Sequence, residues 1–299
     1  MSITLLDGGM GRELLRIGAP FRQPEWSALA LMEGPDWVAQ AHRNFVNAGA
    51  HVITTNSYAC VPFHLGAEVF AERGAELAGL AGRIAREVAD SANSGTRVAG
   101  SLPPVMGSYR PDLFERDEAR RIVSVLVGAL IPFIDHWLIE TTGSVGEARC
   151  SLDVVGAIGD LIRVVPRWVS FTLSDELMDG RAILRSGESI AEASAAVGTE
   201  VTAMLFNCSQ PEVMLAAVSE AVACRRTSEI EIGVFANAFP VIKEEHEANA
   251  AVNEIRSDLT AERYREFAEQ WRQAGASIIG GCCGIAPEHI AGLRSLTSR

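Results

Sequence analysis

The sequence has no excess of positive charge: 26 Lys and Arg stand against 38 Asp and Glu, a formal net charge of −12. A nucleic-acid binder, or a protein held on anionic lipid, needs a basic face, so both partner classes are disfavoured. The sequence also has no apolar run of the ~20 residues that span a bilayer. Its strongest apolar segment, Ile122–Phe133, reads as a buried helix leading into a buried strand. The amino terminus, Met1-Ser2-Ile3-Thr4-Leu5-Leu6-Asp7, carries no basic region, no long apolar stretch and no small-residue cleavage motif, which leaves the cytoplasm as the expected location. No Pro/Ser-rich linker interrupts residues 1–299, which are expected to form one domain. Cysteine is scarce: six in 299 residues is too sparse for a small disulfide scaffold. In a reducing compartment, clustered thiols are expected to bind metal or do chemistry. None of the six histidines falls in a metal-binding pattern.

What is present is an alternation. Short β-branched apolar runs occur at Ile3–Leu6, His51–Thr55, Arg97–Ser101, His136–Glu140, Arg167–Thr172, Val201–Asn207, Glu231–Ala236 and Ala276–Gly280. Each is nearly continuous in apolar residues, as strands buried on both faces are in a parallel sheet. Between them lie helical patterns at Pro35–Ala48, Ala67–Asn93, Asp117–Ile134, Ser189–Val197, Pro211–Cys224 and Thr260–Ala274. Two units share one grammar, a helix closed by Ala-Gly-Ala and followed by a strand, at Ala48-Gly49-Ala50 and Ala274-Gly275-Ala276. The glycine is expected to end the helix in a left-handed conformation. Some eight β–α units in one chain predict an α/β protein of the single (β/α)8 (TIM) barrel type, with a doubly wound open sheet as the competing topology. The longest loops are Gly107–Glu115 and Val241–Asn253.

In a barrel the active site sits at the carboxyl ends of the strands. The residues at or just after those ends include Asp7-Gly8-Gly9-Met10-Gly11, Thr55-Asn56, Glu140-Thr141, Asn207-Cys208, Asn237 and Gly281-Cys282-Cys283-Gly284. Adjacent residues of a strand point to opposite faces, so Cys282 and Cys283 can share an ion only where the strand has ended and the chain turns. Three thiolates from two strand ends suit Zn2+, and three protein ligands leave a fourth position open for substrate. A strained redox disulfide, or two unrelated core thiols, remain the alternatives on spacing alone. Cys60, Cys150 and Cys224 read as small buried hydrophobes. Trp26, Trp37 and Trp271 read as packing residues.

The motifs Leu5-Leu6-Asp7-Gly8-Gly9-Met10-Gly11-Arg12-Glu13-Leu14, Gly49–Tyr58, Glu140-Thr141 with Glu147-Ala148, Ser186-Gly187-Glu188, Asn207-Cys208 and Gly280-Gly281-Cys282-Cys283-Gly284 together resemble the homocysteine S-methyltransferase family nearly end to end. The resemblance implies a zinc-dependent enzyme with Cys208, Cys282 and Cys283 as ligands, homocysteine as acceptor and a cationic sulfonium donor, S-methylmethionine or S-adenosylmethionine. It implies that Asp7 and Glu140 bind the substrate amino group. Gly8, with Gly9 and Gly11, is then expected to offer backbone N–H groups to the substrate carboxylate, and Asn56 to orient the site. Two loops depart from the family pattern. Ala236-Asn237-Ala238-Phe239-Pro240 stands where Pro-Asn-Ser-Gly is common, so only Asn237 carries over, as a substrate residue. The segment Ser101–Tyr109, expected to face the donor, replaces a Gly-Pro-Tyr-Gly type. The chain ends soon after Cys283, which speaks against betaine, whose users carry a C-terminal arm. The competing functions are the same fold with another onium donor or thiol acceptor, and a zinc-binding or thiol redox sensor without turnover.

Overall fold

The computed structural model describes residues 3–241 and 254–297. Of the loop expected at Val241–Asn253, residues 242–253 lie outside that range. Eight strands form one parallel sheet: β1 (Thr4–Leu5), β2 (Val52–Thr54), β3 (Arg97–Leu102), β4 (His136–Thr142), β5 (Arg167–Phe171), β6 (Ala203–Asn207), β7 (Glu231–Phe235) and β8 (Ile278–Ile279). From β2 to β8 every strand pairs with its sequence neighbour, and β1 pairs with β8. A parallel bridge from Leu6 to Val52 joins β1 to β2. The Asp7 N–H to Val52 carbonyl bond, 3.0 Å, and the His51 N–H to Leu5 carbonyl bond, 2.8 Å, reinforce that seam. The sheet is therefore closed, and the (β/α)8 barrel stands in place of the open-sheet alternative.

Both strand faces are buried, as the continuous apolar runs require. One face fills the barrel interior, where Leu6, Val52, Leu138, Leu205 and Ile278 form one cluster with Trp168. The indole has room because Ala203 is its register partner on β6. The other face packs under the helices in one large cluster. Prolines at the first turn open helices Pro35–Ala48, Pro211–Cys224 and Pro287–Leu293. Thr260 caps Ala261–Ala274 by accepting the Arg263 N–H. Six α-helices among the described residues escape the periodic reading: Met10–Ile17, Ala28–Glu33, Pro62–Leu65, Val145–Val154, Asp160–Ile162 and Pro287–Leu293. They are short, but Val145–Val154 carries a readable signal, the Ser144/Glu147 capping box.

Gly49 and Gly275 do end their helices left-handed, at φ 106° and 114°. A Cβ on Gly275 would also stand 3.0 Å from Cγ2 of Val222. Gly275→Ala is therefore expected to destabilise the fold by about 1–2 kcal/mol, the cost of an L-residue in that conformation. Urea unfolding measures this, and an unchanged midpoint would contradict the role given to the glycine.

Candidate active site

The carboxyl ends of β1, β2, β4 and β6, with the turn after β8, line a cleft holding about 140 Å³. Strand β8 stops at Ile279, and Cys282 and Cys283 lie in the turn that follows, closed by the Ile285 N–H on the Cys282 carbonyl at 3.0 Å. The two side chains thus escape strand alternation. Cys208 follows the last residue of β6. The Cys208 sulfur lies 2.9 Å from that of Cys282 and 3.9 Å from that of Cys283. All three sulfurs fall within 4.8 Å of one another, and all three thiols are free. The sulfur contacts with Cys282 and Cys283 hold the Cys208 thiol well below its ordinary range, and the same contacts with Cys208 raise both partners.

The glycines after β1 allow the chain to meet this turn. A Cβ on Gly9 would stand 2.6 Å from the Cys282 carbonyl oxygen. Gly9 caps helix Met10–Ile17, and its own N–H is spent on the Ile285 carbonyl at 2.9 Å. This corrects the expectation that Gly9 offers that group to substrate. Gly8 and Gly11 line the cleft.

Two carboxylates face the thiols. Asp7 accepts the Thr54 N–H at 2.7 Å and the Thr54 hydroxyl at 3.0 Å. Burial pushes its carboxyl up to about 7 against the pull of those bonds. Glu140 accepts the Ser101 hydroxyl at 2.5 Å. Burial pushes it up to about 8, opposed by the Ser101 bond and assisted by the charges of Asp7 and Cys208. Neither carries an ion-pair partner among the described salt bridges, so each is costly to ionise as it stands.

Asn207 organises the backbone around them. Its Oδ1 accepts the Thr141 N–H at 2.9 Å and the Ser170 hydroxyl at 2.7 Å, while its Nδ2 donates to the Thr141 hydroxyl at 2.8 Å. Thr141 has φ 58° and Cys208, next to Asn207, has φ 52°. Six non-glycine residues have positive φ among the described residues, and four of them, Trp26, Tyr109, Thr141 and Cys208, line this one cleft. Each costs on the order of 1–3 kcal/mol, and such strain concentrates where a site is built.

The remaining expected residues divide. Asn56 lines the cleft and donates to the Ser27 carbonyl at 3.0 Å, tying down the wall that carries Trp26. Asn237, expected to touch substrate, does not line the cleft. It is fully buried behind Cys208, with Nδ2 4.0 Å from the sulfur, because its side chain also accepts the Phe239 N–H of its own loop. Trp26 is not a packing residue alone: with Tyr109 it covers the cysteine cluster. Trp37 is 39% exposed, while Trp271 is buried as expected. Glu147 caps a helix instead of entering the cleft. Sequence reasoning missed Tyr109 as a contact of Cys208. Its hydroxyl donates to that sulfur at 2.9 Å, and only its place in the divergent segment after β3 hinted at it.

The fold and the site define a (β/α)8 barrel that gathers a trio of thiols and a pair of buried carboxylates in one cleft at its carboxyl end. The homocysteine S-methyltransferase family model matches residues 4–297, and the chain belongs to that family. It is 29% identical to the homocysteine S-methyltransferase of Escherichia coli (strain K12), over 98% of this chain and 94% of that one. It is 26% identical to the selenocysteine methyltransferase of Astragalus bisulcatus, over 99% and 92%. The crystal structure of the metallated form of the E. coli homocysteine methyltransferase MmuM superposes with a TM-score of 0.79 at 26% identity, covering 99% of this chain and 96% of that one. No helix among the described residues is long and apolar enough to cross a membrane.

Proposed function

We propose that residues 1–299 act as one homocysteine-binding barrel domain. In this reading the chain transfers a methyl group from a sulfonium donor, S-methylmethionine or S-adenosylmethionine, to the sulfur of homocysteine, forming methionine. The observation that carries the reading is the shared cleft: three free thiols within 4.8 Å of one another, facing the paired carboxylates Asp7 and Glu140.

The donor set fits Zn2+, with Cys208, Cys282 and Cys283 as its ligands. A tetrahedral ion with metal–sulfur bonds of about 2.3 Å places its sulfurs roughly 3.8 Å apart. The Cys208–Cys283 separation of 3.9 Å matches that edge. The Cys208–Cys282 separation of 2.9 Å is shorter than that edge and well beyond the about 2.05 Å of a disulfide. When bound, the ion supplies a Lewis acid that keeps the acceptor sulfur a thiolate at neutral pH.

The chain's own residues do the rest. Asp7 and Glu140 hold the α-ammonium by charge-assisted hydrogen bonds, which returns both carboxyls toward their ordinary range. Gly8, at the approach to helix Met10–Ile17, lines the side where backbone N–H groups favour a carboxylate. Trp26, Tyr58 and Tyr109 line the cleft with the sulfurs, aromatic side chains of the kind that attract an onium cation by about 0.5–2 kcal/mol and exclude water. Charge disperses along the transfer of a cationic methyl to an anionic sulfur, so a dry cleft favours it. No general acid or base takes part.

The relative named selenocysteine methyltransferase favours a second acceptor class, a selenol in place of the thiol. One experiment addresses both readings. Zinc-loaded protein is mixed with homocysteine or selenocysteine and, in turn, S-methylmethionine, S-adenosylmethionine and betaine, with methylated products read by mass spectrometry. Methionine from the sulfonium donors is the expected result. Stoichiometric zinc with no methylated product from any pair would overturn the reading and leave a zinc or thiol sensor.

A further inference from the structure

Methyl transfer in this cleft, the reading on which this inference rests, raises a problem of selectivity. The protein's own three sulfurs lie beside the acceptor, and any thiolate open to the donor competes for the methyl group. Cys282, the most exposed of the three, is partly buried between the apolar barrel interior and the cluster of Cys208, Phe239 and Cys283. Cys283 is 9% exposed and packs with Phe239. Cys208 is the sulfur that meets the segment after β3, where Tyr109 donates its hydroxyl proton to Sγ at 2.9 Å. Asn237 approaches the same sulfur at 4.0 Å.

Tyr109 is held firmly in that place. The Arg185 guanidinium lies 4.7 Å over its ring. Arg185 pairs with Asp175 at 2.9 Å, with side chains only 8% and 1% exposed. The second Asp175 oxygen accepts the Gln210 N–H at 3.1 Å, and Gln210 belongs to the turn that carries Cys208. Sulfur, phenol, guanidinium, carboxylate and backbone thus form a closed circuit. The backbone of Tyr109 is itself fixed at φ 65°, where a bulky residue rarely sits.

We propose that Tyr109 is a positioning residue that caps the Cys208 sulfur and so confines methyl transfer to the acceptor. Self-methylation would use a Cys208 lone pair to form an Sγ–CH3 bond. The donor's S–CH3 bond would break, and its electron pair would remain on a neutral thioether. A hydroxyl proton on that sulfur occupies a lone-pair direction and withdraws charge, and both effects slow the attack.

The test uses zinc-loaded wild type and Tyr109→Phe under turnover with S-methylmethionine and homocysteine, with methyl addition at each cysteine read by peptide mass mapping. The wild type should form methionine and leave Cys208 unmodified. The variant should methylate Cys208 at least about tenfold faster, the scale of one hydrogen bond to a charged group. Its zinc should be lost in step. Cys208 unmodified in a Tyr109→Phe protein that keeps its zinc and melting temperature would overturn the inference, as would methylation confined to Cys282. A wild type that forms no methionine would overturn the methyl-transfer reading itself. Should Tyr109→Phe fail to fold, Arg185→Lys gives the same readout. It keeps a cation opposite Asp175 but withdraws the planar group from the Tyr109 ring, so methylated Cys208 supports the cap and unmodified Cys208 refutes it.

Discussion

Replacing Cys282 or Cys283 by alanine is expected to remove bound zinc and turnover together while leaving the barrel folded. Loss of an outer partner of a metal ligand already weakens binding by up to about 100-fold, so loss of a ligand should exceed that. The fold should survive because the thiols sit beyond the strand ends. Cys208 and Cys283 cluster with Phe239 apart from the barrel interior and the large core beneath the helices, and Cys282 only borders the interior as a partly buried residue. Removing one buried sulfur should cost the metal-free protein only about 1 kcal/mol. Cys150→Ala is the control: that thiol is buried and bonded to the Arg116 carbonyl, away from the cleft. Metal analysis on dialysed protein, beside circular dichroism melts, separates these outcomes. Full zinc occupancy in both cysteine variants would remove the proposed centre.

The barrel was legible because burial on both strand faces leaves a plain mark, nearly continuous apolar runs inside strands such as Arg97–Leu102 and His136–Thr142. Where the runs at Ile3–Leu6 and Ala276–Gly280 outlast their ladders, Thr4–Leu5 and Ile278–Ile279, the reason lies in the site. Past Leu5 and Ile279 the two chains bend together, and the Gly281 N–H donates to the Asp7 carbonyl at 2.9 Å. That contact brings a carboxylate and two thiols into one cleft. The thiols and carboxylates were legible as residues at strand ends. Their neighbours were not. Trp26 and Tyr109 take positive φ, which side chains of their size avoid, so no local preference in the sequence points to it. Tyr109 is anchored by Arg185, far along the chain, and that dependence on tertiary contact is invisible to spacing. Asn237 illustrates the converse, a residue named by motif and placed behind Cys208 by the fold.

Asp7→Asn and Glu140→Gln are expected to pull function and stability in opposite directions. Each carboxylate gives an ammonium one charge-assisted contact, a loss on the order of 1.5–3 kcal/mol. The KM for homocysteine should therefore rise by about 10- to 100-fold in either variant, with zinc retained. Stability should move the other way. Asp7 and Glu140 titrate at about 7 and about 8 in the free fold, above the ordinary values of 3.8 and 4.5. The folded state thus binds these protons more tightly than the unfolded chain, and stability falls as pH rises from about 4 to about 8. Above that window the amides escape the whole penalty, at most about 5 kcal/mol for either site. The substitutions fit sterically and in hydrogen bonding. The amide introduced by Asp7→Asn can accept the Thr54 N–H and donate to its hydroxyl, and the amide introduced by Glu140→Gln can still accept from Ser101, through contacts the acids now make. Urea unfolding at pH 8.5 should show both variants more stable than the wild type, and at pH 4 the difference should vanish. In the wild type, the KM for homocysteine should climb as pH falls below 7, because both carboxyls then hold protons that an ammonium must displace. Variants no more stable than wild type at pH 8.5 would mean that the carboxylates already have a partner in the free protein, and an unchanged KM would take them out of the substrate site.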